Sequence, residues 1–515
     1  MTQMPSNISS KSTIAKNTTL LYGRTVLVML VSLYTSRVVL QALGVEDYGI
    51  YTAIGGVISF LSVITGPIDG ALSRFLTFEL GRGNKDLLWR YFMTGMTIMI
   101  GFAIISIVLL ETLGIWFIKE KMVLAANRTN AAYWVLHLSI AAFAFNLLIS
   151  PYRGVIIAHE KMSLFAYLGI LDAILKLAIA FILKFSALDK LILYSTLLLG
   201  VSIFVFGVYF SICTRLFEEC KKIKVGVDRQ LFGGLFSFAG WNIFGAAASF
   251  CRGQGINILF NIFGGPIINA AYGIANQVNS AVNSFVGNFT TALNPSIIKS
   301  YASQEKEYMM SLIYQGAKFS YFLVLIFAMP LIIETKLVTK IWLGQTPEYS
   351  IAFIQMMLIY SLIESLSKTI MAGVHASGKI RMYQLVIGGF QIVILPISYI
   401  LLHLNFSPIA VFIEMIIIDI IAVFARMVMA KKLFGLSIQV YIWQVIGKVL
   451  LVTITAIPIP MLLHMYMNED VVRFMIVSVV CLSTTAVSIL YIGCSSTERE
   501  MIFSKIKNIQ NKLTR

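Results

Sequence analysis

The chain has 515 residues, of which 58% are hydrophobic and only 12% charged, with a mean hydropathy of +0.84. Charge is about half as frequent as in a soluble globular chain, and a soluble reading would need a buried core of implausible size. The net charge is +16, but the basic residues are scattered through short loops without interleaved base-stacking aromatics, which points to membrane orientation and not to nucleic-acid binding.

The segment 1–16 is polar and mildly basic and has no cleavage site after a short apolar core. No signal peptide is expected, and the first apolar segment should remain as a helix. A span needs about 20 apolar residues, and about fourteen segments qualify. The first six lie near 19–43, 48–65, 91–113, 131–151, 164–183 and 191–213. The break RLFEECKKIKVGVDRQ follows at 215–230. Spans near 235–260, 269–293, 317–333, 351–371, 383–402 and 409–429 come next, and a last pair near 443–463 and 471–492.

Counted over alternate loops, the basic residues on the side of the termini outnumber the others about three to one. That set includes Arg74, Arg153, Lys299, Lys318 and Arg426, and the opposite set includes Arg128 and Arg473. Both termini are therefore expected to be cytoplasmic. The tail 495–515 places Met501, Ile502, Ile506, Ile509 and Leu513 at helical spacing with Lys505, Lys507 and Lys512 between them. It reads as a basic amphipathic helix on the inner surface or as a solvated tail. The five cysteines and five histidines show no metal or disulfide spacing. No metal, cofactor or catalytic residue is expected.

The stretch 238–303 is apolar enough for a bilayer, yet it holds Arg252 and many Gly, Ala, Ser and Asn residues that let helices approach and hydrogen-bond. A charge at membrane depth costs a few kcal/mol or more and marks a functional path. The chain also repeats itself. Tyr48-Gly49-Ile50 opens the second span and Tyr272-Gly273-Ile274 the eighth, each followed about twenty residues later by Ala-Leu (Ala71-Leu72, Ala292-Leu293). The preceding span carries Arg24 and Arg37 in one copy and Arg252 in the other. Similar halves around a midplane site are a transporter architecture.

SLYTSRVVLQALGVEDYGIY (32–51) followed by GALSRFLTFELGRGN (70–84) resembles the opening of the polysaccharide (O-antigen type) flippases. RGQGINILFNIFGGPIINAAYGIANQVN (252–279) and TALNPSIIKSYAS (291–303) resemble their seventh and eighth spans, and WLGQTPEY (342–349) their ninth-to-tenth connection. The likeness covers most of the chain and weakens over the last two spans. These flippases belong to the multidrug/oligosaccharidyl-lipid/polysaccharide exporter superfamily. The resemblance implies an all-α integral membrane protein with two six-helix lobes around a central cavity, working by alternating access. The lobes are then 1–215 and 216–433, with two further helices over 434–494. It implies undecaprenyl-pyrophosphate-linked oligosaccharide as cargo, flipped from the inner to the outer leaflet of a bacterial cytoplasmic membrane. A polysaccharide polymerase and other assembly proteins are the implied partners.

A pyrophosphate head calls for arginine, and Arg24, Arg37 and Arg252 are the first candidates, with snorkelling to the interface as the structural alternative. Lys368 in the opposite lobe is the next phosphate ligand, and Gln254, Asn257 and Asn276 suit sugar hydroxyls, although such amides more often bridge helices. Asp172 with Lys176, and Glu364 with Lys368, stand four apart and are expected to neutralise each other. Glu414 and Asp419 have no partner at helical spacing; with Glu364 they are the candidates for a coupling ion. The competing functions are a cation-coupled multidrug exporter, for which an acidic or apolar interior is expected, and a membrane glycosyltransferase or polymerase, which needs a large extramembrane loop or a carboxylate cluster.

Overall fold

The computed structural model describes residues 11–500, apart from 60, 121, 123–127, 222–225, 227, 344–347 and 497, together with residue 503. The amphipathic helix expected over the tail lies mainly outside these residues. Every regular element described is helical. In order they are α1 Lys11–Ser59, α2 Ser62–Arg82, α3 Lys85–Glu120, α4 Thr129–Ala158, α5 Met162–Phe185, α6 Lys190–Leu216 and α7 Arg229–Ala302. Then come α8 Lys306–Ile333, α9 Thr335–Leu343, α10 Ser350–Ser365, α11 Lys368–Ser377, α12 Arg381–His403 and α13 Ile409–Phe434. The last are α14 Ile438–Tyr441, a π-helical turn Ile442–Gly447, α15 Lys448–Ala456, α16 Pro458–Tyr466, α17 Val471–Ser488 and a second π turn Ile489–Gly493.

Among the described residues ten helices are long and apolar enough to cross a membrane. The expected spans outside these ten, near 19–43, 48–65, 269–293 and 409–429, are also helical, the second one turning at Leu61. They are more polar; α13, for example, carries Glu414, Asp419 and Arg426 within 18 residues. Long apolar side chains such as Ile104, Ile105 and Val108 of α3, and Leu450, Leu451 and Ile454 of α15, are more than half exposed. Such bands suit contact with lipid.

The chain divides into two compact units, one of Met1–Ala247 with Thr291–Glu305 and one of Ala248–Thr290 with Lys306–Arg515. In the first, α1 packs on α5, and α4 packs on α2, α3 and α6. Leu72, Leu76, Phe92, Tyr152 and Tyr209 fill its interior, with Phe92 edge-on to Tyr152 at 5.5 Å. Both ends are braced by charge. At one, Arg128 binds Asp47, and Asp189 at 2.6 Å. At the other, the α4–α5 turn is held from three directions: Lys299 pairs with Glu160 at 2.8 Å, Asn17 donates to the Glu160 carbonyl, and His159 meets Glu219 at 2.6 Å.

In the second unit α13 packs on α10, α11 and α12, and α8 packs on α10, α11 and α17. Phe260, Phe353 and Phe412 stack together, with Tyr272 edge-on to Phe260 at 5.3 Å. The final helices are tied on by fully buried Glu334, which accepts from Arg473 at 3.0 Å and meets His464 at 2.8 Å. Lys318 of α8 reaches Glu498 at 3.0 Å and the Gly493 carbonyl at 3.1 Å.

Arg74, Lys299, Lys318 and Arg426 were expected in loops, and the structure corrects this. All four are buried within helices. The guanidinium of Arg74 lies over Phe75, Phe78 and Phe238 at 4.5–5.3 Å. Polar side chains end an apolar run in sequence, but the helix continues where they find partners.

The two repeats share a backbone device. Helix α1 breaks at Gly44 (φ 81°, ψ 170°) and α7 at Gly265 (φ 69°, ψ −170°). Each break shortly precedes the Tyr-Gly-Ile tripeptide of its copy. This backbone region is essentially reserved for glycine, at a cost of about 1–3 kcal/mol for other residues. A Cβ at Gly265 would meet nothing within 4 Å, so strain alone is at issue. Gly265→Ala should therefore lower the thermal midpoint in detergent, whereas Gly273→Ala, in regular helix with equally open space, should not; the two are compared by thermal unfolding.

Candidate functional site

In the first unit, Arg24 projects from α1 toward α5. Phe165 and Gly169 stand four apart there and so share a helix face. The guanidinium lies 4.8 Å over the Phe165 ring. It occupies the space a side chain at 169 would need, since a Cβ there would come within 2.8 Å of Arg24 Cζ. The buried Nε has no hydrogen-bond partner among the described residues. Among the described residues no carboxylate forms an ion pair with it: Asp172 pairs with Lys176 at 2.7 Å, as the four-residue spacing predicts, and Asp69 accepts from Ser150. Arg153 of α4, Tyr209 and Asp172 are within electrostatic reach of Arg24, and Asp69 of Arg153. Three cations thus share the region with two carboxylates, leaving one positive charge in excess. The sequence places Arg153 in a loop, and no local signal in the chain sets it beside Arg24.

In the second unit, Arg252 of α7 donates to the Tyr360 hydroxyl at 2.9 Å, and its guanidinium lies 5.2 Å over that ring. Glu364, one turn beyond Tyr360 on α10, is within electrostatic reach of Arg252 and Arg426. Arg426 pairs with Asp419 at 3.2 Å and donates to Ser367 Oγ at 2.8 Å. Arg252 and Glu364, both half-buried, are therefore brought together with buried Asp419 and Arg426 in one network, two cations against two carboxylates. Asp419 was expected to lack a partner at helical spacing; it finds one seven residues on, a separation that keeps both on one helix face.

Glu364 and Lys368 form no ion pair, contrary to the spacing argument, because the helix breaks at Leu366–Ser367 between α10 and α11. Lys368 instead donates to Asn283 Oδ1 at 3.0 Å. Asn283 also donates to Asn279 Oδ1 and to Ser361 Oγ, both at 2.9 Å. Asn279 and Asn283 thus bridge helices, and Lys368 has an amide for a partner in place of a carboxylate. Glu414 stands apart: one carboxylate oxygen accepts from Ser398 at 2.7 Å and the other, buried, has no partner among the described residues.

Of the remaining candidates, Asn276 hydrogen-bonds Tyr272. Asn257 is half-buried and Gln254 exposed, and neither joins these networks. The side chain of Arg37 lies outside the described residues. Among the described residues no cluster of His, Cys, Asp and Glu could hold a metal ion.

No protein-family model and no curated protein matches the chain. Solved structures do. A multidrug resistance MATE family transporter of the MOP superfamily in an outward-facing conformation superposes with a TM-score of 0.70 at 12% identity, over 82% of this chain and 95% of that one. A MATE structure in complex with MaL6 gives 0.65 at 12% identity, over 82% and 98%. A MOP superfamily transporter from Pyrococcus furiosus, described as having a binding pocket of reverse polarity that suggests a different function, gives 0.68 at 12% identity, over 82% and 98%. The chain is a multi-pass membrane protein with the fold of these transporters. At this identity the likeness is one of fold, and the cargo has to be argued from the interior.

Arg24 and Arg426 should respond to truncation in opposite ways. Removing Arg426 leaves Asp419 buried without its counter-charge, so Arg426→Ala should destabilise by roughly 3–5 kcal/mol, partly recovered by adding Asp419→Asn. Arg24 has no carboxylate to abandon, so Arg24→Ala should unfold no more easily than the native chain. Unfolding midpoints of the four proteins in one detergent check both.

Proposed function

We propose that the protein is a transporter that moves an anionic lipid-linked oligosaccharide, an undecaprenyl-pyrophosphate carrier, from the inner to the outer leaflet of a bacterial cytoplasmic membrane by alternating access. The observation that carries this reading is Arg24, held in the first unit with no ion pair and with a buried nitrogen unsatisfied among the described residues. Keeping such a charge costs stability unless it has a use, and a planar guanidinium suits phosphate. The second unit adds Lys368, whose ammonium, among the described residues, meets an amide and no carboxylate. Arg252, like Arg24, has a buried Nε unsatisfied among the described residues, but its bond to Tyr360 and its nearness to Glu364 make it a supporting residue of the network before it is a ligand. Glu414, with a neutral partner and an unsatisfied oxygen, is a better candidate for a coupling ion than Asp419, which Arg426 neutralises.

A second reading, a cation-coupled multidrug exporter, is favoured by the comparisons, because neighbours of this fold are described as multidrug transporters. The surroundings of Arg24 argue against cationic drugs: the two carboxylates there, Asp172 and Asp69, are engaged by Lys176 and Ser150, and the excess charge is positive. That a MOP superfamily transporter is described as differing in pocket polarity and function supports deciding between the readings on charge.

Lipid analysis by mass spectrometry separates them. Cells lacking the protein should accumulate undecaprenyl-pyrophosphate oligosaccharide, and the native chain should clear it. Arg24→Ala at equal expression should leave most of it uncleared. Accumulation cleared equally by Arg24→Ala would retain flipping and reject the arginine. Absence of accumulation with increased sensitivity to cationic drugs would establish the second reading.

A further inference from the structure

The second unit contains a cavity of about 810 Å³ that the transport reading does not use. Tyr314, Gln315 and Lys318 of α8 line it, with Gln444 of the first π turn, Lys448 of α15, and Glu498. Its floor is built. Lys318 gives its ammonium to both oxygens of Glu498 and to the Gly493 carbonyl, and the Ser495 backbone N–H donates to Glu498 at 2.7 Å. Tyr314 is fixed by the Ser437 backbone N–H at 3.3 Å.

With that pair saturated, Lys448 is left over. It is half-buried, and among the described residues it makes no ion pair or hydrogen bond. Lys318 and Glu498 act on it only through space. Gln444 lies four residues before Lys448, and the intervening chain is π-helical as far as Gly447. Such turns disturb regular helix and recur at functional sites. Lys306 and Glu307 add an exposed ammonium and an exposed carboxylate at the rim, so Lys448 remains the net positive charge of the lining. Met310, Phe434 and Val440 give the cavity an apolar side.

We infer that this cavity is a binding site for the phosphate headgroup of an anionic phospholipid, with Lys448 and Gln444 on the phosphate and the apolar side against the glycerol and first methylenes. The volume is that of a small-molecule site. Position favours a lipid over a free anion. Lys306 opens α8, Phe434 closes α13, and Ser495 follows the last π turn. The cavity therefore sits where membrane-crossing helices end, at the depth of headgroups, and basic pockets between such helices bind anionic lipid heads.

The test is native mass spectrometry of the delipidated full-length chain titrated with phosphatidylglycerol, phosphatidylcholine or inorganic phosphate. One phosphatidylglycerol should bind ahead of phosphatidylcholine. Lys448→Gln should weaken it about fivefold, from the attraction expected of one lysine near a lipid surface. Lys432→Gln, an equal loss of charge on the exposed end of α13, should change nothing. Equal binding of the two lipids, equal effects of the two variants, or binding of inorganic phosphate without phosphatidylglycerol would each overturn the inference. Should Lys448→Gln fail to fold, Lys306→Gln at the rim reads the same site: a measurable loss supports it and none rejects it.

Discussion

A charge buried away from water must be neutralised by another part of the chain or be used. Much of this structure follows from that constraint. Lys299 meets Glu160, Lys318 meets Glu498, Arg426 meets Asp419, and Arg473 meets Glu334, each pair at or below 3.2 Å. The partners are far apart in sequence in three of the four pairs, so each such bridge also fixes one helix against a remote segment. A buried pair adds little net stability, but breaking one is expensive. Such pairs therefore specify packing more than they strengthen it.

Against that background the unneutralised groups stand out. Arg24 rests on an aromatic face over a glycine, and Lys368 rests on an amide. Both are positive. Glu414, like Asp69 on Ser150, lies on a hydroxyl, where gaining a proton would remove a buried charge. An anionic cargo for the cations and a coupling proton for the carboxylate account for all three groups. The fold does not decide this, since one helical architecture can carry cargoes of either sign.

How much could be read beforehand depended on range. Apolar runs gave the helices, because hydropathy is local. The ion pair of Asp172 with Lys176 was legible because α5 is unbroken between them. The same rule failed for Glu364 and Lys368 because the turn at Leu366–Ser367 carries no Gly or Pro to announce it. Arg74 and Lys299 looked like loop residues; what keeps them in helices is an aromatic cluster and a glutamate 139 positions away. Arg153 beside Arg24 was invisible for the same reason. Pairing across long sequence separation leaves no periodic trace.

The central claim is that Arg24 serves a phosphate. It is tested most directly by equilibrium binding of a short polyprenyl pyrophosphate to the purified protein, with the matching polyprenol and a cationic drug as comparators. The account predicts that the pyrophosphate binds in preference to both, more weakly as salt is raised, and at least tenfold more weakly to Arg24→Ala, about 1.4 kcal/mol for a lost charge-assisted contact. Equal affinity for polyprenol and pyrophosphate, or tight binding of the cationic drug indifferent to Arg24→Ala, would contradict it.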